Sequence, residues 1–225
     1  MVKHTQEMQR RELSVTEFVN QISDEQLLEI QADLAQLFDP VPDFQHIGHN
    51  IDGFAHQDFL KMLESANDSE GRVLRQQLLR QQVRNEDIEN SFTNYENFLR
   101  GKNLLGGRRL PNETKIVCFD LGGNRRVKLQ GRADICIEGD RNVVIQIRYD
   151  NRPQIRHFCE TFVYTLLENI QGCGPLDLMR TCYRREYFMF NPFTNQAYRL
   201  LYNPQQMQRV FEIMIESNEI SVTNS

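Results

Sequence analysis

Val127-Lys-Leu-Gln-Gly-Arg-Ala-Asp134-Ile-Cys-Ile-Glu138, then Gly139-Asp-Arg-Asn142, then Val143-Val-Ile-Gln146-Ile-Arg148-Tyr-Asp150, is the stretch whose reading decides the fold. The outer runs are rich in β-branched and apolar residues, and Gly-Asp-Arg-Asn is turn chemistry. The stretch therefore predicts two strands, the first over 127–138 and the second over 143–149. Residues two apart in a strand face the same side. Gln146 and Arg148 thus project together, while Ile145 and Ile147 project to the opposite face.

The most sharply patterned segment follows. Ile155, Phe158, Cys159, Phe162, Val163, Leu166, Leu167 and Ile170 form a broad apolar face at helical spacing, ended by Gly172-Cys-Gly-Pro175. Two more strands are expected at Glu186–Phe190 and Ala197–Tyr202, around Asn191-Pro-Phe-Thr-Asn195. A last helix opens with Asn203 as cap and Pro204 at its first position, and would bury Met207, Val210, Phe211 and Met214. Upstream, Lys115–Asp120 reads as a strand and Leu121-Gly-Gly-Asn124 as a turn. Lys102–Pro111 reads as a flexible basic connector, and a helix over 86–100 places Ile88, Phe92, Tyr95 and Leu99 on one face. From residue 86 the order is helix, three strands, helix, two strands, helix. This is an α/β pattern, and its short strand connections favour antiparallel neighbours.

The N-terminal part reads as helical. Ser14-Val-Thr-Glu17 and Ser23-Asp-Glu-Gln26 both fit capping boxes, and Leu27, Ile30, Leu34, Leu37 and Phe38 make one stripe ended by Asp39-Pro40. Residues 39–58 read as a loop, with helices resuming at about 56–66 and 70–84. The expected partition is a helical region over 1–85, an α/β domain over 86–216, and a frayed tail over 217–225.

With 40% hydrophobic residues and 14 Phe, the chain of 225 residues can build a real core. No run approaches the length that spans a bilayer, and the first residues lack the apolar centre of a signal peptide. The expectation is a soluble intracellular protein, nuclear or cytoplasmic, with no membrane partner. The five cysteines contain no CxxC pair, which predicts reduced, mostly buried thiols. Charge is unevenly spread. Residues 1–99 hold 8 Lys/Arg against 18 Asp/Glu, whereas residues 100–156 hold 13 against 6. The basic segment suits phosphate; the alternative is that it docks on the acidic N-terminal region.

The order of elements and the motif positions resemble the PD-(D/E)xK nuclease-like superfamily, in particular its RecB-like and exonuclease-like branches. Gly131-Arg-Ala-Asp134 is similar to the GxxD at the end of the family's second strand, and Gln146-Ile-Arg148 occupies the (D/E)xK position. Glu160-Thr-Phe-Val-Tyr164 has the spacing of the QxxxY on the crossover helix, with Glu for Gln. Glu96, or equally Glu89, matches a further acidic ligand from the first helix. The resemblance covers residues 86–216. It implies a core of helix, three-stranded antiparallel meander, crossover helix and further strand, with Asp134, Gln146, Arg148, Glu160 and Tyr164 at the catalytic positions. It also implies Mg²⁺ or Mn²⁺ held by Asp134, Gln146 and Glu96.

Two positions depart from that chemistry. Gln146 puts a neutral amide where an anionic ligand is expected, and Mg²⁺ binds through so few carboxylates that each matters. Arg148 keeps the lysine's positive charge but is planar and effectively never deprotonated. Without metal, Arg148 and Asp134 would form a cross-strand ion pair. The favoured expectation is an impaired nuclease fold that binds nucleic acid, a partner protein, or both. Arg108, Arg109, Arg125, Arg126, Lys128, Arg132 and Arg152 would meet phosphate. The alternatives are an active nuclease whose metal site is rebuilt around Gln146 from Asp134 and Glu160 with Glu96 or Glu138, of which Glu138 lies about 13 Å along the strand and too far to share the ion directly, and an interaction protein that self-associates through Leu27, Leu34 and Phe38. His46, His49 and His56 match no zinc spacing, and neither Gly-Gly pair forms a phosphate loop.

Overall fold

The computed structural model describes residues 9–41, 85–111, 113–122, 125–139, 142–149, 153–169 and 185–223. The expected helices at 56–66 and 70–84, the three loop histidines, and Cys173 and Cys182 lie outside them. Among the described residues the chain is a mixed α/β protein with two sheets and five helices.

Both serine capping boxes form. Glu17 N donates to Ser14 Oγ at 3.2 Å, and Ser14 N donates back to Glu17 Oε2 at 2.7 Å. Ser23 and Gln26 repeat the exchange at 3.3 Å in both directions. They start helices α1 (Val15–Asn20) and α2 (Asp24–Leu37). Strands flank these helices: β1 (Gln9–Ser14) before them and β2 (Phe38–Val41) after. The segment expected to be helical thus supplies an edge strand to each sheet. The loop expected from residue 39 begins as β2.

The remaining elements are α3 (Asn85–Gly101), β3 (Arg108–Leu110), β4 (Lys115–Gly122), β5 (Arg125–Gly131), β6 (Ile135–Glu138), β7 (Asn142–Ile147), α4 (Ile155–Asn169), β8 (Arg185–Asn191), β9 (Gln196–Leu200) and α5 (Pro204–Thr223). The smaller sheet has the order β1-β5-β4, with β1 parallel and β4 antiparallel to β5. The larger has the order β2-β9-β8-β7-β6-β3, and only its β7–β8 pair is parallel.

Three expectations need correcting. The single strand over 127–138 is two strands, β5 and β6, which belong to different sheets. The break has a packing cause at Gly131. A Cβ there would lie 2.7 Å from Tyr164 Cε1 and from Val15 Cγ2, and 2.9 Å from Leu167 Cδ1. Helices α1 and α4 therefore press onto the backbone where the chain turns from one sheet into the other. The flexible connector over 102–111 contains β3, which covers the outer edge of β6 through Arg108↔Glu138 to Leu110↔Cys136. Finally, the α5 backbone remains helical to Thr223, past the fraying expected after Glu216.

The larger sheet buries both faces. On one, Tyr95, Phe98 and Leu99 of α3 meet Ile135, Ile137, Val143, Ile145, Ile147, Phe188 and Phe190. Phe98 stacks on Phe190, with ring centroids 4.5 Å apart. Helix α3 stops in a Schellman turn: Asn103 has φ 56°, Leu104 N donates to Leu99 O at 2.8 Å, and Leu104 is buried. On the other face, Cys136, Val144 and Tyr187 meet Cys159, Phe162, Val163, Leu166 and Leu167 of α4, and α1, α2 and α5 extend this core. Arg156 ties α4 to the N-terminal helices. Its guanidinium donates to Val19 O at 2.9 Å, Ile22 O at 3.2 Å and Asp24 Oδ1 at 3.1 Å. Among the described residues, no helix is long and apolar enough to cross a membrane.

Gly131→Ala is expected to destabilise the chain by ~1–3 kcal/mol through overpacking, read as a lowered urea midpoint. Burial pushes the Cys136 thiol up from its ordinary 9.0 to about 11 and the Cys159 thiol up to about 12. The unfolded thiols release their protons first on alkalinisation, so stability contributed by the protonated thiols falls as pH rises above about 9. Urea midpoints measured across that range should decline, and should decline less in Cys159→Ala.

Candidate functional site

Strand alternation separates the motif positions by face. Val144 of β7 belongs to the core beneath α4, whereas Val143, Ile145 and Ile147 belong to the core beneath α3. Gln146 and Arg148 therefore share the α4 side, as the spacing predicts. The β6–β7 register pairs Cys136 with Val144 and Ile135 with Ile145. Extended by one step, it sets Asp134 opposite Gln146.

Asp134 lies just before β6, and its carboxylate completes the ladder there: Ile147 N donates to Asp134 Oδ2 at 2.7 Å. A side-chain oxygen thus accepts an amide proton beyond the end of the β6–β7 ladder. Arg148 is held by its backbone, with N donating to Phe190 O at 2.9 Å.

Arg148 has a partner on α4 that the strand spacing does not announce. Arg148 Nη2 lies 2.5 Å from Glu160 Oε2, with the two side chains only 11% and 7% exposed. Glu160 projects from the first half of α4, which lies directly over this face, so it reaches a guanidinium that the sequence aligns with Asp134. The pairing is chemically reasonable because two buried opposite charges in contact cost far less than either alone. Gln146 is 2% exposed, and its Nε2 has no hydrogen-bond partner among the described residues.

The other positions divide. Tyr164 sits one helical turn beyond Glu160, packed against the core and over Gly131. Glu96 is buried and forms an ion pair with Arg100 one turn along α3, whereas Glu89 is exposed. Glu138 is exposed and pairs with Arg108 at 2.5 Å across β3 and β6. Each candidate carboxylate except Glu89 is therefore already engaged. Among the described residues, no three His, Cys, Asp or Glu side chains gather to hold a metal ion. A donor set of one neutral amide and carboxylates held by guanidinium or amide protons does not fit a hard divalent cation.

Of the basic residues, Arg132 is exposed at the bend after Gly131, and Arg109 is half-buried. Lys128 pairs with Glu12 at 2.6 Å, in register across β5 and β1. Arg125 and Arg126 lie on β5 opposite Gln9 and Arg10. Arg152 lies outside the described residues. The pairs Lys128–Glu12 and Arg156–Asp24 join the basic segment to the acidic N-terminal region, so internal docking occurs at these two points. Leu27, Leu34 and Phe38 are buried within the chain itself.

Sequence reading passed over two features. Tyr149 follows Arg148, and its phenol is pushed above the ordinary range by burial and then by the negative charge of Asp134. Its adjacency to the motif was the available signal. The second is a cavity of about 180 Å³ lined by Leu110, Lys115, Cys136, Glu168 and Arg185 among others. There Arg185 Nη1 meets the buried Glu168 at 2.6 Å. That pair joins the end of α4 to the start of β8, and no local pattern announces it.

Neither a family model nor a curated protein matches the chain. Among solved structures it is similar to one described as "Crystal structure of SSO0001", with 14% identity and a TM-score of 0.31 over 86% of this chain and 87% of that one. Likeness at that level carries no argument about fold or function.

Removing one member of the buried pair leaves the other charge uncompensated. Arg148→Met and Glu160→Leu should each cost ~3–5 kcal/mol, and the double replacement should recover most of that loss. Urea denaturation of the three variants measures the coupling; additive losses would contradict it.

Proposed function

We propose that this chain is a divergent member of the PD-(D/E)xK nuclease-like superfamily, with an impaired catalytic site, that acts by binding nucleic acid. The observation that carries the reading is the arrangement of four adjacent strands. β3 is antiparallel to β6, β6 is antiparallel to β7, and β7 is parallel to β8, with α4 connecting the parallel pair. That succession, preceded by α3, supports the core that the resemblance implies. β3 and β6 take the first two places of the meander, rather than the strands expected at 115–120 and 127–138. The shared α4 side of Gln146 and Arg148, with Asp134 aligned opposite Gln146, supports the same reading.

Impairment follows from the engaged side chains. In the family, carboxylates hold the cation against the scissile phosphate and lower the pKa of the attacking water. Here Glu160 is neutralised by Arg148, Glu96 is paired with Arg100, and Gln146 contributes no charge. Proton handling at position 148 is also lost, since a guanidinium stays protonated at any working pH. Binding depends on less demanding chemistry. A basic surface gains affinity by releasing counterions from the phosphate backbone, without a positioned nucleophile. Arg132 is exposed and Lys128 half-buried on the segment richest in positive charge, while Arg108 stands exposed on the edge strand.

Incubation of the chain with labelled single- and double-stranded DNA and RNA, with Mg²⁺ or Mn²⁺, scores retention and breakage together. Retention that weakens steeply with salt, without breakage, is the expected result. Arg132→Glu with Lys128→Glu should weaken binding at all sequences alike and flatten the salt slope by about one per lost phosphate contact. No retention at low ionic strength would sink the binding reading. Breakage abolished by Asp134→Ala would sink the impairment.

A further inference from the structure

The geometry points to an internal cation at this site: the Arg148 guanidinium holds the place between the β6–β7 strand ends and α4 that a divalent ion would otherwise fill. The inference rests on the proposed superfamily reading for what such a site once held, and on this chain's own contacts for what holds it now.

Three observations meet here. Arg148 Nη2 is 2.5 Å from Glu160 Oε2, with both side chains almost completely enclosed. Asp134, in line with Gln146 by the strand register, accepts from Ile147 N through its carboxylate. Gln146, next along the same face from Arg148, is buried with an amide nitrogen that lacks a partner among the described residues. An amide nitrogen is a donor and cannot ligate a cation, so only the oxygen of Gln146 could do so, and it brings no charge.

Charge counting gives the same result. Asp134 and Glu160 bring two negative charges, and Arg148 returns one positive. Adding a doubly charged ion would leave the enclosed cluster with net positive charge and set it against a guanidinium in a low-dielectric surrounding, where like charges repel strongly. With a neutral residue at 148, the same two carboxylates would balance a divalent ion. Arg148 is thus a positioning residue for α4. It replaces a dissociable cation with a covalently attached one, and the packing of α4 on the sheet becomes independent of metal supply.

Mn²⁺ provides the test, because its electron paramagnetic resonance signal reports the free ion and protein melting reports the fold. The full chain, stripped with chelator, is titrated with Mn²⁺ alone. The wild-type protein is expected to leave the free-ion signal and its melting temperature unchanged. Arg148→Met should melt lower than wild type and regain melting temperature as Mn²⁺ is added, and Arg148→Met with Asp134→Asn should lose that rescue. If Arg148→Met does not fold unaided, Mn²⁺ should restore its cooperative transition. Failure of Mn²⁺ to rescue Arg148→Met, folded or not, overturns the inference. So does Mn²⁺ uptake by the wild type that Asp134→Asn abolishes. These readouts use no nucleic acid, so a failure of phosphate binding and a failure of the internal cation are separately visible.

Discussion

Parallel strands cannot be joined by a tight turn; the chain must leave the sheet, cross over one face and re-enter at the same end. The β7–β8 pair is the one parallel contact in the larger sheet among the described residues, and α4 lies in its crossover. Most other arrangements follow from that placement. Because α4 covers the sheet beneath Val144 and Tyr187, α3 covers the opposite face. Because α4 also reaches the junction at Gly131, the residue there has no room for a side chain, and the strand divides between two sheets. Because Arg156 points from α4 toward the carbonyl ends of α1, the N-terminal helices pack on the crossover helix instead of forming a layer of their own.

The same helix sets the chemistry of the candidate site. A carboxylate on its first half meets a guanidinium on the underlying strand, and both are removed from water. Burying such a pair does little for net stability, since desolvation offsets most of the Coulombic gain; its effect is to fix one register of helix over sheet. Asp134 does a comparable service at the strand end by accepting a backbone amide. Groups whose types suggest catalysis are thus occupied in holding secondary structure together.

Charge segregation along the chain has a related structural use. The acidic N-terminal stretch returns to the basic middle through Glu12–Lys128 and Asp24–Arg156, each side chain at least partly exposed and each pair worth no more than about 1 kcal/mol. Such pairs orient a docked segment more than they stabilise it. Arg132 keeps its exposure at the junction of the two sheets, where no acidic partner reaches it among the described residues.

Sequence alone determined the local elements: both capping boxes, the apolar faces of α2, α3, α4 and α5, the strands at 143–149 and 186–190, and the shared face of Gln146 and Arg148. These are written in spacings of two, three and four residues, and a short chain segment carries them whatever surrounds it. Tertiary structure decided what depends on distant neighbours. The strand character of 9–14, 38–41 and 108–110 comes from partners at 125–130, 197–200 and 136–138, with little alternation of its own to betray it. The break at Gly131 comes from side chains at 15, 164 and 167. The pairing of Arg148 with Glu160 comes from the height of a helix above a sheet. Periodicity reports which face a side chain occupies; only packing reports what waits on that face.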